Sequence, residues 1–231
     1  MANSSIYNLL FEKSITQMAG SKSTNLIQLM NSKKEFLILV FSNLLVQLGI
    51  TYYVSQKTNN PDLNIWILVI IQFAILLLLI LVPMNSYLKF LVFCAFSYLT
   101  GLLFTFLKNK YDKNLVNSVI VSTMALFAFM CATGVTLLLG GIKLGVRFGA
   151  LLFWCLLALI IFRIILLFNQ TATTLSKLAS FFGMMLFSVY IVYDTNTILQ
   201  RNYYGDFITA SLDYYLDILN LFLNILRSNN E

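Results

Sequence analysis

Four charged side chains stand inside apolar stretches, Arg163, Asp194, Asp213 and Asp217, and Asn220 and Asn224 follow the last two on the same stretch. Asp213, Asp217, Asn220 and Asn224 are spaced by four, three and four residues, so on a helix they share one face, while Leu216, Ile218, Leu219, Leu221, Phe222 and Leu223 cover the rest. Oxygen-bearing side chains in a row are what a hard cation takes as ligands. Conduction needs weak sites with few ligands. Asp213, Asn220 and Asn224 therefore read as a cation pathway, and Asp194, Asp213 and Asp217 as transient ligands of a hard cation. Two carboxyls within hydrogen-bonding range cannot easily both ionise and titrate as a coupled unit, which makes a facing pair proton-sensitive. Gly183, Phe187, Tyr190 and Asp194 share a second helical face, with the small Gly183 permitting close approach. A reversal centred near residues 203–204 sets Asp194 level with Asp213 and leaves Asp217 one turn, about 6 Å, deeper. Arg163 is the candidate charge partner, although it lies close enough to the end of its stretch to snorkel to the interface.

The elements that must carry these residues follow from composition. Of 231 residues, 59% are hydrophobic and 10% charged, against about 25% charged in a soluble domain. Apolar spans fall at 36–54, 65–82, 90–107, 118–139, 148–168, 178–199 and 207–226; a segment of about 20 such residues crosses a bilayer core. The expectation is an all-α integral membrane protein with seven transmembrane helices: a polar cytoplasmic tail at 1–35, a helical domain at 36–227 and a short end at 228–231. An acid at mid-helix costs roughly 2.5–3.5 kcal/mol on insertion scales, or about 8–10 kcal/mol for three, so the acids must look inward and find partners or protons. With the N-terminus inside, cytoplasmic segments hold eight Lys and Arg against six outside.

Several chemistries are excluded. There is no histidine, which removes His-based catalysis and His-containing zinc sites. Cys94, Cys131 and Cys155 lack metal-ligand spacing and read as packing residues. The net charge of +6 reflects loop lysines and arginines of a membrane protein rather than nucleic-acid binding. No cofactor is expected.

Tyr193-Asp194-Thr195 followed by Tyr215-Leu216-Asp217-Ile218-Leu219-Asn220-Leu221-Phe222 resembles the end of the transmembrane Bax inhibitor motif family. Lys34-Glu35-Phe36-Leu37-Ile38-Leu39 with Gln47-Leu48 is similar to its first span. Pro83-Met84-Asn85 with Ser97-Tyr98-Leu99-Thr100-Gly101 is similar to the third span of the lifeguard branch. The resemblance implies six helices around a central seventh and a pH-sensitive calcium leak channel with an anti-apoptotic role. It also implies an endoplasmic reticulum or Golgi membrane if the chain is eukaryotic or viral, and a plasma membrane if bacterial. It places the proton-sensing pair on Asp194 and Asp217, not on Asp194 and Asp213. The second span departs from the family in having no basic residue, with Gln72 its only strongly polar side chain, and the acid some branches carry in the third span is absent. Asp213 stands where an amide or small residue is usual.

The implied partners are the lipid bilayer, calcium as permeant ion, and membrane proteins of cell-death or calcium signalling. One alternative is a regulator of cell death acting through such proteins. Another is an intramembrane aspartyl protease, but no Gly-x-Gly-Asp surrounds Asp213 or Asp217 and the only prolines are Pro61 and Pro83, so a non-enzymatic role is favoured.

Overall fold

A computed structural model describes residues 26–58, 64–168 and 173–230; residues 1–25 of the expected tail lie outside them. The described chain forms α1 (Leu26–Lys57), α2 (Ile65–Leu81), α3 (Ser86–Lys110), α4 (Lys113–Leu139), α5 (Val146–Leu167), α6 (Thr173–Arg201), a 3-10 turn (Asn202–Gly205) and α7 (Phe207–Asn230). All seven expected spans are helical. α1 begins ten residues before its apolar span.

Short polar residues set the boundaries. Asn64, Asn85 and Asp112 accept backbone N–H groups from the first turns of α2, α3 and α4, at 2.9 Å from Trp66, 2.8 Å from Leu88 and 2.8 Å from Asn114, satisfying donors that a helix start leaves unpaired. Pro83 forces Val82 out of the helical region and ends α2. α4 closes through Gly141 at φ +83°, where Ile142 N–H bonds to Leu137 and Gly141 N–H to Leu138, the double bond of a Schellman end. Gly145 then precedes α5, and Gly149 lies inside it, where a Cβ would meet the Tyr193 ring of α6.

Five helices, α1, α3, α4, α5 and α6, are long and apolar enough to cross a bilayer, which makes this a multi-pass integral membrane protein. α2 is shorter, 17 residues or about 25 Å. α7 is long enough, at 24 residues, but too polar to face lipid, and between Phe207 and Ser228 it has no exposed residue. It packs on α6, α1, α4 and α3, while α2 lies mainly on α3 and α5 on α6. The outer surface is correspondingly apolar, as at Ile70, Phe73, Trp154 and Phe182. Tyr214 and Tyr215 anchor the interior. Phe93 meets Tyr215 edge-on at 5.3 Å between ring centres, and Phe127 meets Tyr214 at the same distance. The three cysteines are free.

Without a hydrophobic drive between helices in lipid, close packing has to hold the bundle, and small residues allow it. A Cβ on Gly134 of α4 stands 2.7 Å from the Val192 carbonyl oxygen and 2.8 Å from Thr195 Cβ of α6. Backbone cannot yield as a side-chain tip can. Gly134→Ala is therefore expected to destabilise the purified protein by about 1–3 kcal/mol, read as a lowered melting temperature in detergent. Gly49→Ala, where a Cβ meets nothing within 4 Å, is expected to leave it unchanged or raised. An unchanged melting temperature for Gly134→Ala contradicts the close α4–α6 contact.

Candidate functional site

α7 carries polar groups on two opposite faces. At 100° per residue, Asp213, Asp217, Asn220 and Asn224 fall together, and Ser211 and Tyr215 fall across the axis from them. α6 covers the first face and α1 and α3 the second.

On the acid face, Asp194 and Asp217 are buried, at 7% and 5% exposure, and their carboxyls face each other closely enough to hydrogen-bond. Two carboxyl groups can do this only when one of them carries a proton. The second oxygen of Asp217, Oδ2, is buried with no hydrogen-bond partner among the described residues. The depth estimate that paired Asp194 with Asp213 is thereby corrected. Helical side chains lean toward their own N-terminus, so on antiparallel helices Asp194 leans deeper while Asp217 leans toward the loop, and the two close the one-turn gap. Asp213 is half-buried and lies close to the Tyr203 hydroxyl.

Arg163 does not snorkel. It reaches from α5 to donate to Asn224 Oδ1 at 2.5 Å, in space opened by Gly183, where a Cβ would meet the Asn224 carboxamide. Asn224 and Asn220 turn their amide nitrogens onto the carbonyls of Asn220 and Leu216 at 2.7 and 2.8 Å. Among the described residues no three His, Cys, Asp or Glu side chains converge on a metal-holding position, so the aspartates form no closed cage.

The end of the stripe next to the α6–α7 turn holds residues that sequence reasoning assigned only to loops. Asp206 caps α7, accepting Thr209 N–H at 3.0 Å and the Thr209 hydroxyl at 2.7 Å. Lys89, from the first turn of α3, donates to Asp206 Oδ2 at 2.5 Å. Burial works to raise the Asp206 carboxyl, but the hydrogen bonds from Lys89 and Thr209 outweigh it and hold the group below its ordinary value. Tyr203 sits at φ +44°, a left-handed conformation costing roughly 1–2 kcal/mol. Burial and the Asp213 charge push its hydroxyl well above the usual phenol range, so it stays protonated. Asn196 fixes the α4–α5 connection to the same end, accepting Leu144 N–H at 2.9 Å and donating to the Ile142 carbonyl at 3.0 Å.

The opposite face of α7 is neutral and held by hydrogen bonds. Asn43 donates to Ser211 and Gln47 to Asn43, Ser97 donates to Gln47, and Thr51 hydrogen-bonds Tyr215 and the Ser97 carbonyl. Gln72, the strongly polar side chain of α2, donates to Thr100 at 2.9 Å, and Thr100 in turn reaches Tyr215. α2 is thus tied to the neutral face rather than to the acids.

Because the folded value of Asp206 is depressed, its stabilisation is fully present above the unfolded carboxylate value, about 3.9, and is lost as pH falls through the lowered folded value. Asp206→Asn removes it at every pH. The melting-temperature gap between wild type and Asp206→Asn is expected to be constant from pH 5 to 8 and to narrow below about pH 3.9; a gap that widens on acidification contradicts the Lys89–Asp206 geometry.

Comparison with known proteins follows this geometry. The chain matches the family described as inhibitor of apoptosis-promoting Bax1 over residues 33–229, all seven helices but for the start of α1 and the end of α7. It is 28% identical to Protein LIFEGUARD 4 of Arabidopsis thaliana over 73% of this chain and 68% of the relative. It is 42% identical to the BI1-like protein of Arabidopsis thaliana over 34% of this chain and 31% of the relative. Against the Golgi anti-apoptotic protein of Vaccinia virus (strain Lister) it is 32% identical over 63% of this chain and 57% of the relative, so the chain spans less than two thirds of the last two. Five lipid-crossing helices, an enclosed polar α7 and a family match across nearly the whole described bundle lead to one assignment: the chain belongs to the Bax inhibitor-1 family.

Proposed function

We propose that this protein is a cation leak, chiefly for calcium, whose opening is set by the protonation of Asp194 and Asp217, and that it restrains cell death by tuning calcium stores. The observation that carries this reading is the burial of two facing carboxyls, Asp194 and Asp217, with Asp217 Oδ2 left without a hydrogen-bond partner among the described residues. Losing the shared proton leaves two like charges side by side, and at an effective dielectric near 20 their repulsion is on the order of 4 kcal/mol at 4 Å. A shift of a few kcal/mol moves a two-state helix equilibrium from mostly closed to mostly open. Asp213, Asn220 and Asn224 extend the oxygen-bearing face above and below the pair, which suits passage of a hard cation. By the loop-charge rule the α6–α7 turn faces the cytosol, so cytosolic pH is the controlling one.

The restraint of cell death is supported by the printed name of the viral Golgi anti-apoptotic relative, which also supports an internal membrane as the site of action. That name describes an effect, not conduction. It therefore equally supports a second reading, in which the bundle acts through membrane partners of the death machinery.

Calcium flux into proteoliposomes, with pH varied separately on each side, tests the leak. Asp194→Asn and Asp217→Asn are each expected to flatten the pH dependence, and the double variant to add little, because neighbouring groups that share one proton are not additive. Single variants that keep the wild-type pH profile, or effects that add independently, contradict the latch; absence of flux from every protein favours the partner reading.

A further inference from the structure

Two cationic side chains of the chain itself stand at the ends of the acid face. Arg163 is on Asn224 at one end, and Lys89 is at the other. Lys89 is the more telling. Its side chain is only 13% exposed, and its ammonium is lodged between Asp206 Oδ2 and Thr209 Oγ1, at 2.5 Å from each. Asp213, one turn along α7 from Thr209, lies within electrostatic range of it. An ammonium is a compact, strongly hydrated point charge, and here protein oxygens replace its water. Carboxylate and hydroxyl oxygens gathered around such a charge are also the ligand chemistry of a hard divalent cation. Thr197, one turn from Asp194 toward this same end on α6, keeps a buried hydroxyl with no hydrogen-bond partner among the described residues.

We propose that Lys89 is a tethered blocking cation, whose ammonium occupies an oxygen site formed by Asp206 and Thr209 at the mouth of the acid face in competition with free divalent cations. A tethered group acts at an effective concentration in the millimolar range or above. A free cation well below that level does not displace it, whereas a divalent ion at high concentration, with twice the charge, does. The blocking role rests on the proposed leak; occupancy of the site by a free cation does not.

The competing role is a plain staple between α3 and the start of α7, which removal of Lys89 would weaken whatever ion is present. Thermal unfolding of the full chain in detergent separates the two, using calcium titrated at constant ionic strength against choline. Wild type is expected to melt at a calcium-independent temperature up to about millimolar calcium. Lys89→Met is expected to melt lower without calcium and to recover as calcium is added, since a ligand bound only by the folded state stabilises it. Lys89→Met combined with Asp206→Asn is expected not to recover. Lys57→Gln, which removes a lysine at the far end of α1, controls for charge alone. If Lys89→Met does not fold, Lys89→Gln, which keeps a donor of similar reach without charge, carries the same comparison. A Lys89 variant whose melting ignores calcium, or one whose calcium response survives Asp206→Asn, overturns the site.

Flux in proteoliposomes then tests the blocking role. Lys89→Met is expected to leak several-fold faster than wild type at submillimolar calcium. Unchanged flux in a variant that has gained the calcium response overturns the block. If neither wild type nor variant conducts while the Asp206-dependent calcium response is present, the leak reading fails and the cation site stands.

Discussion

The close facing of the buried Asp194 and Asp217 carboxyls sets α6 against a helix with no exposed residue between Phe207 and Ser228, and the rest of the bundle encloses that contact. An ionised acid at mid-membrane costs roughly 2.5–3.5 kcal/mol even on the mildest scales. α7 brings two acids into that environment, α6 a third. The proposed sharing of a proton by Asp194 and Asp217 would remove one of the three charges. All three acids are kept from lipid by α1, α3 and α4, which pack around α7 together with α6. Gly134 and Gly183 matter for the same reason. Each lets a helix approach so closely that the polar groups meet one another before they meet hydrocarbon.

The two faces of α7 divide the energetic work. On the neutral face, hydrogen bonds from Asn43, Gln47, Thr51 and Ser97 each contribute about 0.5–1.5 kcal/mol net and have no state to change to at any ordinary pH. They define where α7 sits. In the proposed latch, loss of the proton shared by Asp194 and Asp217 would set two like charges side by side, a repulsion on the order of 4 kcal/mol at close range. That exceeds any one neutral bond on the other side, so in this proposal the acid face is the part of α7 that responds to pH. The acid face is also bounded by charge of the opposite sign, Lys89 beside Asp206 and Arg163 on Asn224.

Much of this was legible in the sequence, because hydrocarbon punishes polarity so strongly that exceptions stand out. The four-three-four spacing of Asp213, Asp217, Asn220 and Asn224 marked the buried face of α7, and the runs of apolar residues marked seven helices. What escaped notice had weaker signals. Asn43, Gln47, Thr51 and Ser55 recur every fourth residue in α1 and are all buried, a stripe readable by the same rule but uncharged and so masked by its apolar neighbours. Lys89 read as a loop residue because the apolar run begins at Phe90, whereas the Asn85 cap starts the helix at Ser86 and turns Lys89 inward. Arg163 was within snorkelling reach of the interface; only the gap at Gly183, a feature of the α6–α7 contact and not of α5, gives it an inward partner. The Asp194 pairing turned on side-chain lean, which depth arithmetic on backbone positions leaves out.

The central claim is that one proton is held between Asp194 and Asp217 in the closed bundle. Infrared difference spectroscopy on protein carrying isotopically labelled aspartate reads this directly through the stretching band of a protonated carboxyl. The account predicts such a band at neutral pH in wild type, shifted in heavy water, and displaced when either Asp194 or Asp217 is changed to Asn but not when Asp206 is. A wild-type spectrum at neutral pH showing only ionised aspartates contradicts it.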